Sequence, residues 1–411
     1  MVDEYIAVVG VGGLMKVYVS VEFGSHSIKL LASEFVNEEQ HVLYIDEEPS
    51  SGIEFGVIQQ KEVVVRDLRK LIDRAERFLK ANIKSIVVML PSVGLKTTEV
   101  SYDLMIPENR VQGHHIKNLF NKVYEEENKE PHLEIAFIYP LRFLSSKLRK
   151  NLFQPIGQHT RDLFVTLELV YQDKKTLFDY VDVASQAGVD VLDIMPNAIA
   201  LKHSGLSIEE MKDYACVVDV GATTTTITVY HEEKIERSES FRIGSRLATE
   251  QLQQQFSFST SDAEQFKLTH GRVLSTDEKH EIVFEQTHAD GSITYITNEY
   301  IAKLLNASYL EIIRVIRQYL LETGLINRIK HYYLIGGGVT IERFETLFKN
   351  NFGPNVSIRY PEIIGARHPK YTSIISGHFN IHYLEQLFEE DYQMIEYIDE
   401  TKAETLEKPS K

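Results

Sequence analysis

The chain has 411 residues, 43% of them hydrophobic and 25% charged, with a formal net charge of −16. That length exceeds one ordinary core and implies two or more domains, and the acidic balance argues against general nucleic-acid binding. The single cysteine, Cys216, rules out an internal disulfide and fits a reducing compartment, where it reads as a small buried hydrophobe.

Residues 5–15 are apolar but follow Asp3 and Glu4, where a secretory leader would be basic, so an extra strand is the expectation there. No stretch approaches the ~20 apolar residues of a membrane span. Residues 17–21 and 28–36 read as strands around a tight turn, Glu22-Phe23-Gly24-Ser25-His26-Ser27. Leu68, Leu71, Ile72, Ala75, Phe78 and Leu79 recur at helical spacing and predict a helix over 66–81. Ser85 to Leu90 is a buried-type strand, ended by Pro91 and Gly94.

Residues 91–170 change texture. Short strands (97–102, 134–139 and 163–170) surround a helix near 114–126, which reads as a small α+β insert. His114-His115 raises the question of a metal pair. Adjacent helical residues point apart and no acid or cysteine stands at ligand spacing, so surface histidines are expected. Residues 174–187 predict a helix and 189–194 a short strand, and Pro196 starts a helix ending near Gly205.

The run Val217-Val218-Asp219-Val220-Gly221-Ala222-Thr223-Thr224 repeats the design of the first turn: apolar strand, carboxylate, glycine two residues on, then hydroxyls. Backbone N–H groups and hydroxyls in such a turn can cup phosphate oxygens, and the carboxylate can hold Mg²⁺ through water. One copy is an ordinary hairpin turn. Two copies suggest a nucleotide clamped between related domains.

Further along, 234–241 reads as a strand and Gly244 opens a helix. Ser261 caps another helix with acids in its first turn. Residues 281–297 alternate like a hairpin turning at Ala289-Asp290-Gly291, and 298–321 is a long helix. Tyr333-Leu334-Ile335 runs into Gly336-Gly337-Gly338, where a backbone without Cβ atoms can approach a flat adenine or ribose. Helix-like sequence over 340–349, a strand at 356–359 and a loop at 361–369 follow. Residues 380–401 carry Glu385, Glu389, Glu390, Asp391, Glu396, Asp399 and Glu400 with neither Lys nor Arg. Leu384, Leu387, Phe388, Met394, Ile395 and Ile398 form an apolar stripe there, expected to be a docking or core face.

In this order, the paired turns and the triple glycine resemble the actin/Hsp70/sugar-kinase ATPase superfamily, and within it the FtsA family. Ser51-Gly52-Ile53-Glu54-Phe55-Gly56-Val57-Ile58, Gln154-Pro155-Ile156-Gly157, Ser261-Asp262-Ala263-Glu264 with Lys267 and Gly271, and Leu334-Ile335-Gly336-Gly337-Gly338 carry the resemblance across about residues 16–380. The resemblance implies an α/β, actin-like two-domain ATPase fold of duplicated ribonuclease H-like domains with an inserted α+β (SHS2-type) subdomain. It implies a first domain of 16–90 plus 171–205, an insert of 91–170, a second domain core of 206–245 plus 330–380, its subdomain of 246–329, and an acidic C-terminal tail of 381–411.

The implied cofactors are ATP and Mg²⁺. Gly24, Ser25 and Ser27, with Lys29 nearby, would contact phosphates from the first domain, and Gly221, Thr223 and Thr224 from the second. Glu22 and Asp219 would flank the metal through water. Glu264 and Lys267 would lie along the ribose and adenine, although alone they read as a solvated helix face. Gly336, Gly337 and Gly338 would pass beneath the adenosine. The implied role is a cytoplasmic division-site protein that polymerises and links FtsZ, through its C-terminal peptide, and other division proteins to the membrane, with slow or absent hydrolysis. Glu22 stands where the family has Asp, and Thr226 where it often has Asp; Mg²⁺ tolerates little change in geometry. No water-activating residue stands out near Pro196-Asn197. The family's basic amphipathic C-terminal helix has no counterpart in the acidic tail, so membrane contact by that route is not expected. A pilus-assembly ATPase platform of the PilM type shares the insert and is the near alternative. A sugar-kinase-type enzyme would need a catalytic carboxylate and sugar pocket that do not stand out.

Overall fold

The computed structural model describes residues 16–147, 150–202, 205–274, 281–287 and 290–398. Every residue of the strand Tyr18–Phe23 is buried, as expected of a strand covered on both faces. It pairs antiparallel with Ser27–Val36, which pairs antiparallel with Glu39–Pro49, and on its other side it runs parallel to Ser85–Leu90 and then Asp190–Pro196. The strand Glu39–Pro49 has no clear sequence signal because its side chains are mixed in polarity and only half-buried.

The second sheet repeats this order. Lys234–Phe241, Thr225–His231 and Ala215–Val220 form the antiparallel three, and His331–Ile335 and Val356–Ile358 add on in parallel. Cys216 is buried in its central strand. Both sheets therefore present a hairpin turn at the same end of the same central strand. That placement, more than the local sequence, lets the two turns meet.

Helix Lys61–Leu79 starts earlier than its periodicity predicts. It buries Val64, Leu68, Leu71, Ile72 and Ala75, while Phe78 is exposed beside Tyr44. The region 91–170 forms its own four-stranded sheet, in which Asp162–Asp173 lies between Leu133–Ser145 and Lys96–Met105, with helix Gly113–Glu127 alongside. After Pro196 only the short helix Asn197–Ala200 forms. The 260s helix, Thr260–His270, is capped by Ser259, which accepts from the Asp262 N–H, and not by Ser261. The 281–297 region pairs Ile282–Thr287 with Ile293–Thr297, and helix Asn298–Glu322 follows.

The C-terminal division departs from expectation. Helix Thr372–Phe388 packs on the first sheet, not the second: Ile374, Ile381 and Leu387 are buried there, and a Cβ on Gly377 would lie 2.7 Å from Met89 Sδ. Residues 372–380 thus go with the first sheet, and 381–398 are not a separate acidic tail. Met394 is buried and Ile395–Tyr397 pairs antiparallel with Ala81–Ile83, although Ile398 is exposed. Charge count misled because the acids are met individually. Glu385 accepts from Tyr18 Oη at 2.5 Å and pairs with Lys16 at 2.6 Å, and Lys16 also holds Asp391. The apolar start Ile6–Met15 and the tail beyond 398 lie outside the described residues. Among the described residues, no helix is long and apolar enough to cross a membrane.

The histidine pair also differs from expectation. His115 is buried, and its ring lies 4.0 Å from that of His114, with Glu108 at 2.8 Å from Nε2. His115 Nδ1 accepts from the Gln112 N–H, so Nε2 carries the proton and donates to Glu108. The ring is a helix cap, with no lone pair left for a metal at Nε2.

Candidate nucleotide-binding cleft

The two turns are built alike. The Gly24 N–H donates to Ser27 O at 3.1 Å, and the Gly221 N–H to Thr224 O at 2.9 Å. A Cβ on Gly24 would come within 2.9 Å of Ser27 O, and one on Gly221 within 3.1 Å of Thr224 O. Each closure is tight enough to favour glycine and leaves a carboxylate two residues earlier, at the strand end.

Those carboxylates face one another electrostatically. Burial, with the Glu22 charge adding to it and Lys29 offsetting it, pushes the Asp219 carboxyl up to about 7. Glu22 is buried, receives Lys29 Nζ at 3.0 Å and accepts from Asn197 Nδ2 at 3.1 Å. Burial alone would lower the Lys29 ammonium, but Glu22, Asp219 and Glu47 outweigh it and hold it above its ordinary value. Asn197 Oδ1 is buried with no protein partner. An unfilled acceptor beside the Glu22 carboxylate suits the water of a hydrated cation, so the donor set fits Mg²⁺ held through water. Nothing local in the sequence distinguishes Asn197; it opens the helix directly after Asp190–Pro196, and the place of that strand in the sheet, two strands from Tyr18–Phe23, brings it to Glu22.

The hydroxyls divide. Ser27 Oγ donates to Glu47 at 2.9 Å, and Glu47 is also held by Lys370 at 2.6 Å. Ser25 is buried, and its carbonyl accepts from Arg246 Nη2 of the second unit at 2.8 Å. Thr223 Oγ1 accepts the Phe55 N–H at 3.1 Å, and Arg242 sits 5.4 Å over the Phe55 ring. The segment 51–58 therefore touches the second turn from the opposite wall. Thr226, by contrast, is tied into its sheet through Ser240 at 2.7 Å.

Glu264 and Lys267 are not a solvated face. Lys267 is buried and donates to Glu264 at 2.8 Å, to Thr249 at 2.9 Å and to Ser245 O at 3.3 Å. Burial pulls its ammonium below the ordinary value despite Glu264. Burial would raise the Glu264 carboxyl, but Lys267, Thr249 and the nearby His26 of the first turn hold it below the usual range. Ser245, whose N–H bonds Gly221 O at 2.9 Å, connects Lys267 to the second turn.

The glycine triplet is used position by position. Gly336 has φ +91°, and a Cβ there would lie 2.3 Å from Asp219 Oδ1; one on Gly338 would lie 2.6 Å from Val220 Cγ1. A Cβ on Gly337 would meet nothing within 4 Å. Two glycines thus admit the second turn, and the third borders open space. The structure brings Glu22, Lys29, Asp219 and Gly336 together and sets Glu264 and Lys267 beside the second turn. Arg246, Phe55, Asn197 and Ser245 join them without having been foreseen.

Two sheets of one topology with facing turns define an actin-like ATPase fold. Solved structures of that fold agree. The PilM–PilN type IV pilus biogenesis complex superposes with a TM-score of 0.59 at 14% identity, covering 90% of this chain and 98% of that one. MreB 5 of Spiroplasma citri bound to AMPPNP gives 0.55 at 15% identity, covering 92% and 99%. Within that class the chain resembles FtsA. The family model for cell division protein FtsA matches residues 216–376. The cell division protein FtsA of Staphylococcus epidermidis (strain RP62A) is 24% identical over 396 residues, 94% of this chain and 83% of that protein. The FtsA of Bacillus subtilis is 21% identical over 360 residues, 87% and 81% respectively.

Proposed function

We propose that the chain is an ATP-binding, actin-like cell-division protein that polymerises and links the C-terminal peptide of FtsZ to the division machinery at the inner face of the membrane. The observation that carries the nucleotide part is the convergence of the two turns: Arg246 beside the second reaches the Ser25 carbonyl of the first at 2.8 Å, Phe55 N–H reaches Thr223 at 3.1 Å, and the Glu22 charge acts on Asp219. The division role rests on the resemblance to FtsA over most of the chain.

Glu22 and Asp219 would hold Mg²⁺ through water, and the ion, when bound, neutralises charge on the phosphate oxygens. Ser25 and Ser27 on one side and Thr223 and Thr224 on the other would orient the phosphates, with Gly24 and Gly221, whose own N–H groups close the turns, letting the backbone come near them. Lys29 adds positive charge. Lys267 and Glu264 flank the ribose and adenine, and Gly336–Gly338 let the backbone pass beneath the adenosine. Asn197 is an amide, not a base, and Thr226 is committed to Ser240, so the site binds and positions better than it abstracts protons. Slow turnover with tight closure suits a switch that sets subunit contacts, since nucleotide can hold two domains together without chemistry.

Thermal shift with Mg-ATP tests the nucleotide part, and no stabilisation by Mg-ATP sinks it. Pull-down on immobilised FtsZ C-terminal peptide tests the partner. Retention on that peptide supports the division role. Absence there, with capture of a pilus membrane protein's cytoplasmic tail, supports the pilus-platform reading instead. Light scattering with and without ATP reports self-association.

A further inference from the structure

We propose that Lys29 makes divalent-cation binding in this cleft conditional on a bound nucleotide. The ammonium occupies the charge position that a free metal ion would need, and the phosphates are what restore an attractive field. The inference rests on the nucleotide reading above but concerns the protein without its ligand.

The geometry is specific. Lys29 lies two residues beyond the turn, on the strand Ser27–Val36, and is paired in register with Glu22 across the hairpin. Cross-strand partners sit about 5 Å apart at Cβ, so the long side chain folds back over Glu22 instead of reaching solvent. Nζ is 3.0 Å from Glu22 Oε2, and the two side chains are only 12% and 9% exposed. Asp219 and Glu47 act on the same ammonium. Glu22 Oε1 is engaged by Asn197 Nδ2, so both of its oxygens already have donors. Glu47 is likewise committed to Ser27 and Lys370.

At the place where the two walls meet, Glu22, Asp219 and one ammonium leave at most a single net negative charge, less where Asp219 holds its proton. A hydrated divalent cation gains little there, because it must compete with a buried, hydrogen-bonded ammonium that is already desolvated. A polyphosphate changes the sign of the comparison. It brings several negative charges of its own, gives Lys29 additional acceptors, and supplies the metal with phosphate oxygens that the protein lacks.

Mn²⁺ serves as the probe, by calorimetry and by the loss of its free-ion paramagnetic resonance signal, on the full chain without nucleotide. The wild type is expected to show no saturable binding up to millimolar Mn²⁺. Lys29→Met is expected to bind at least tenfold more tightly, and Lys29→Arg, which keeps the charge, to behave as the wild type. Adding Glu22→Gln to Lys29→Met should abolish the gained binding, which places it at this site. Circular dichroism melts confirm that each variant is folded. The proposal is overturned if the wild type binds Mn²⁺ as tightly as Lys29→Met, if folded Lys29→Met gains nothing, or if the gain survives Glu22→Gln. A separate titration of wild type with ATP in EDTA and in Mg²⁺ decides the nucleotide reading alone. Failure to bind ATP in both conditions sinks that reading while the Mn²⁺ series still judges Lys29.

Discussion

Arg246 donates from Nη2 to the carbonyl of Ser25 at 2.8 Å, so the first helix after the second hairpin holds the tip of the first turn across the cleft. With Phe55 N–H to Thr223, it joins opposite walls of the cleft. Removing the guanidinium in Arg246→Ala takes one hydrogen bond from the Ser25 carbonyl at a part-buried position, so the expected cost to global stability is that of a single lost bond. The cost to closure is that of one charged hydrogen bond, about 1–2 kcal/mol. Release of a fluorescent ATP analogue, followed by stopped flow, should quicken by roughly five- to thirtyfold. An unchanged dissociation rate would show that the contact does not gate the cleft.

Asp219 makes stability depend on pH. Its folded pKa of about 7 lies above the ordinary unfolded value near 4, so the native state binds the proton more tightly. The stability from this group is fully present below about pH 4 and is lost as pH rises through about 7. Asp219→Asn removes the burden of a buried charge. Without ligand, the variant should be more stable than wild type at pH 8 by about 1–2 kcal/mol, after allowance for partial solvation, and the difference should shrink toward pH 5. Urea unfolding at several pH values measures it. A difference that grows toward low pH would reverse the assignment.

The glycine triplet separates folding from binding. Gly336→Ala places a methyl 2.3 Å from Asp219 Oδ1 at a φ of +91°, so a loss of at least ~2 kcal/mol is expected. Gly337→Ala meets nothing within 4 Å and has no positive φ, so its melting temperature should hold within a degree or two. If adenosine passes over this backbone, Gly337→Ala should nevertheless weaken ATP binding severalfold by calorimetry. Equal ATP affinity in that variant would place the base elsewhere.

The buried pair Lys202 and Glu168 fastens the insert to both sheets. Glu168, on the insert strand Asp162–Asp173, bonds Lys202 and accepts the Ile235 N–H at 2.8 Å, and Lys202 lies 4.2 Å over the Tyr139 ring. Both side chains are nearly inaccessible. Lys202→Met strands a buried carboxylate and should cost about 3–5 kcal/mol, whereas the double change with Glu168→Leu should recover part of it. Chemical denaturation of the single and double variants checks this, and equal losses in both would show that the charge pairing is not what matters.

Hydrophobic patterning made the strands and most helices readable in advance. Each central strand is mostly apolar, broken by Ser20 and Glu22 in one and Asp219 in the other, and Leu68, Leu71, Ile72 and Ala75 repeat at the period of a helix. Glu39–Pro49 escaped because a half-buried edge strand carries no alternation, and Ser259 escaped because three hydroxyl residues compete for one cap. The acids of 385–391 looked like a solvated tail because charge counting ignores partners; Tyr18 and Lys16, far away in sequence, take them up.

The turns Glu22–Ser27 and Asp219–Thr224 were set by local chemistry alone: a carboxylate, a glycine where a Cβ meets a carbonyl, and hydroxyls after it. That kind of order acts over a few residues and is therefore written in consecutive letters. Folding decided what those turns do to one another. The duplicated strand order brings Glu22 within electrostatic reach of Asp219, folds Lys29 onto Glu22 where both charges act on it, and delivers Asn197, Arg246 and Phe55 from distant segments. Charge, burial and hydrogen bonding act through space, so none of these relationships exists until two separate sheets have packed.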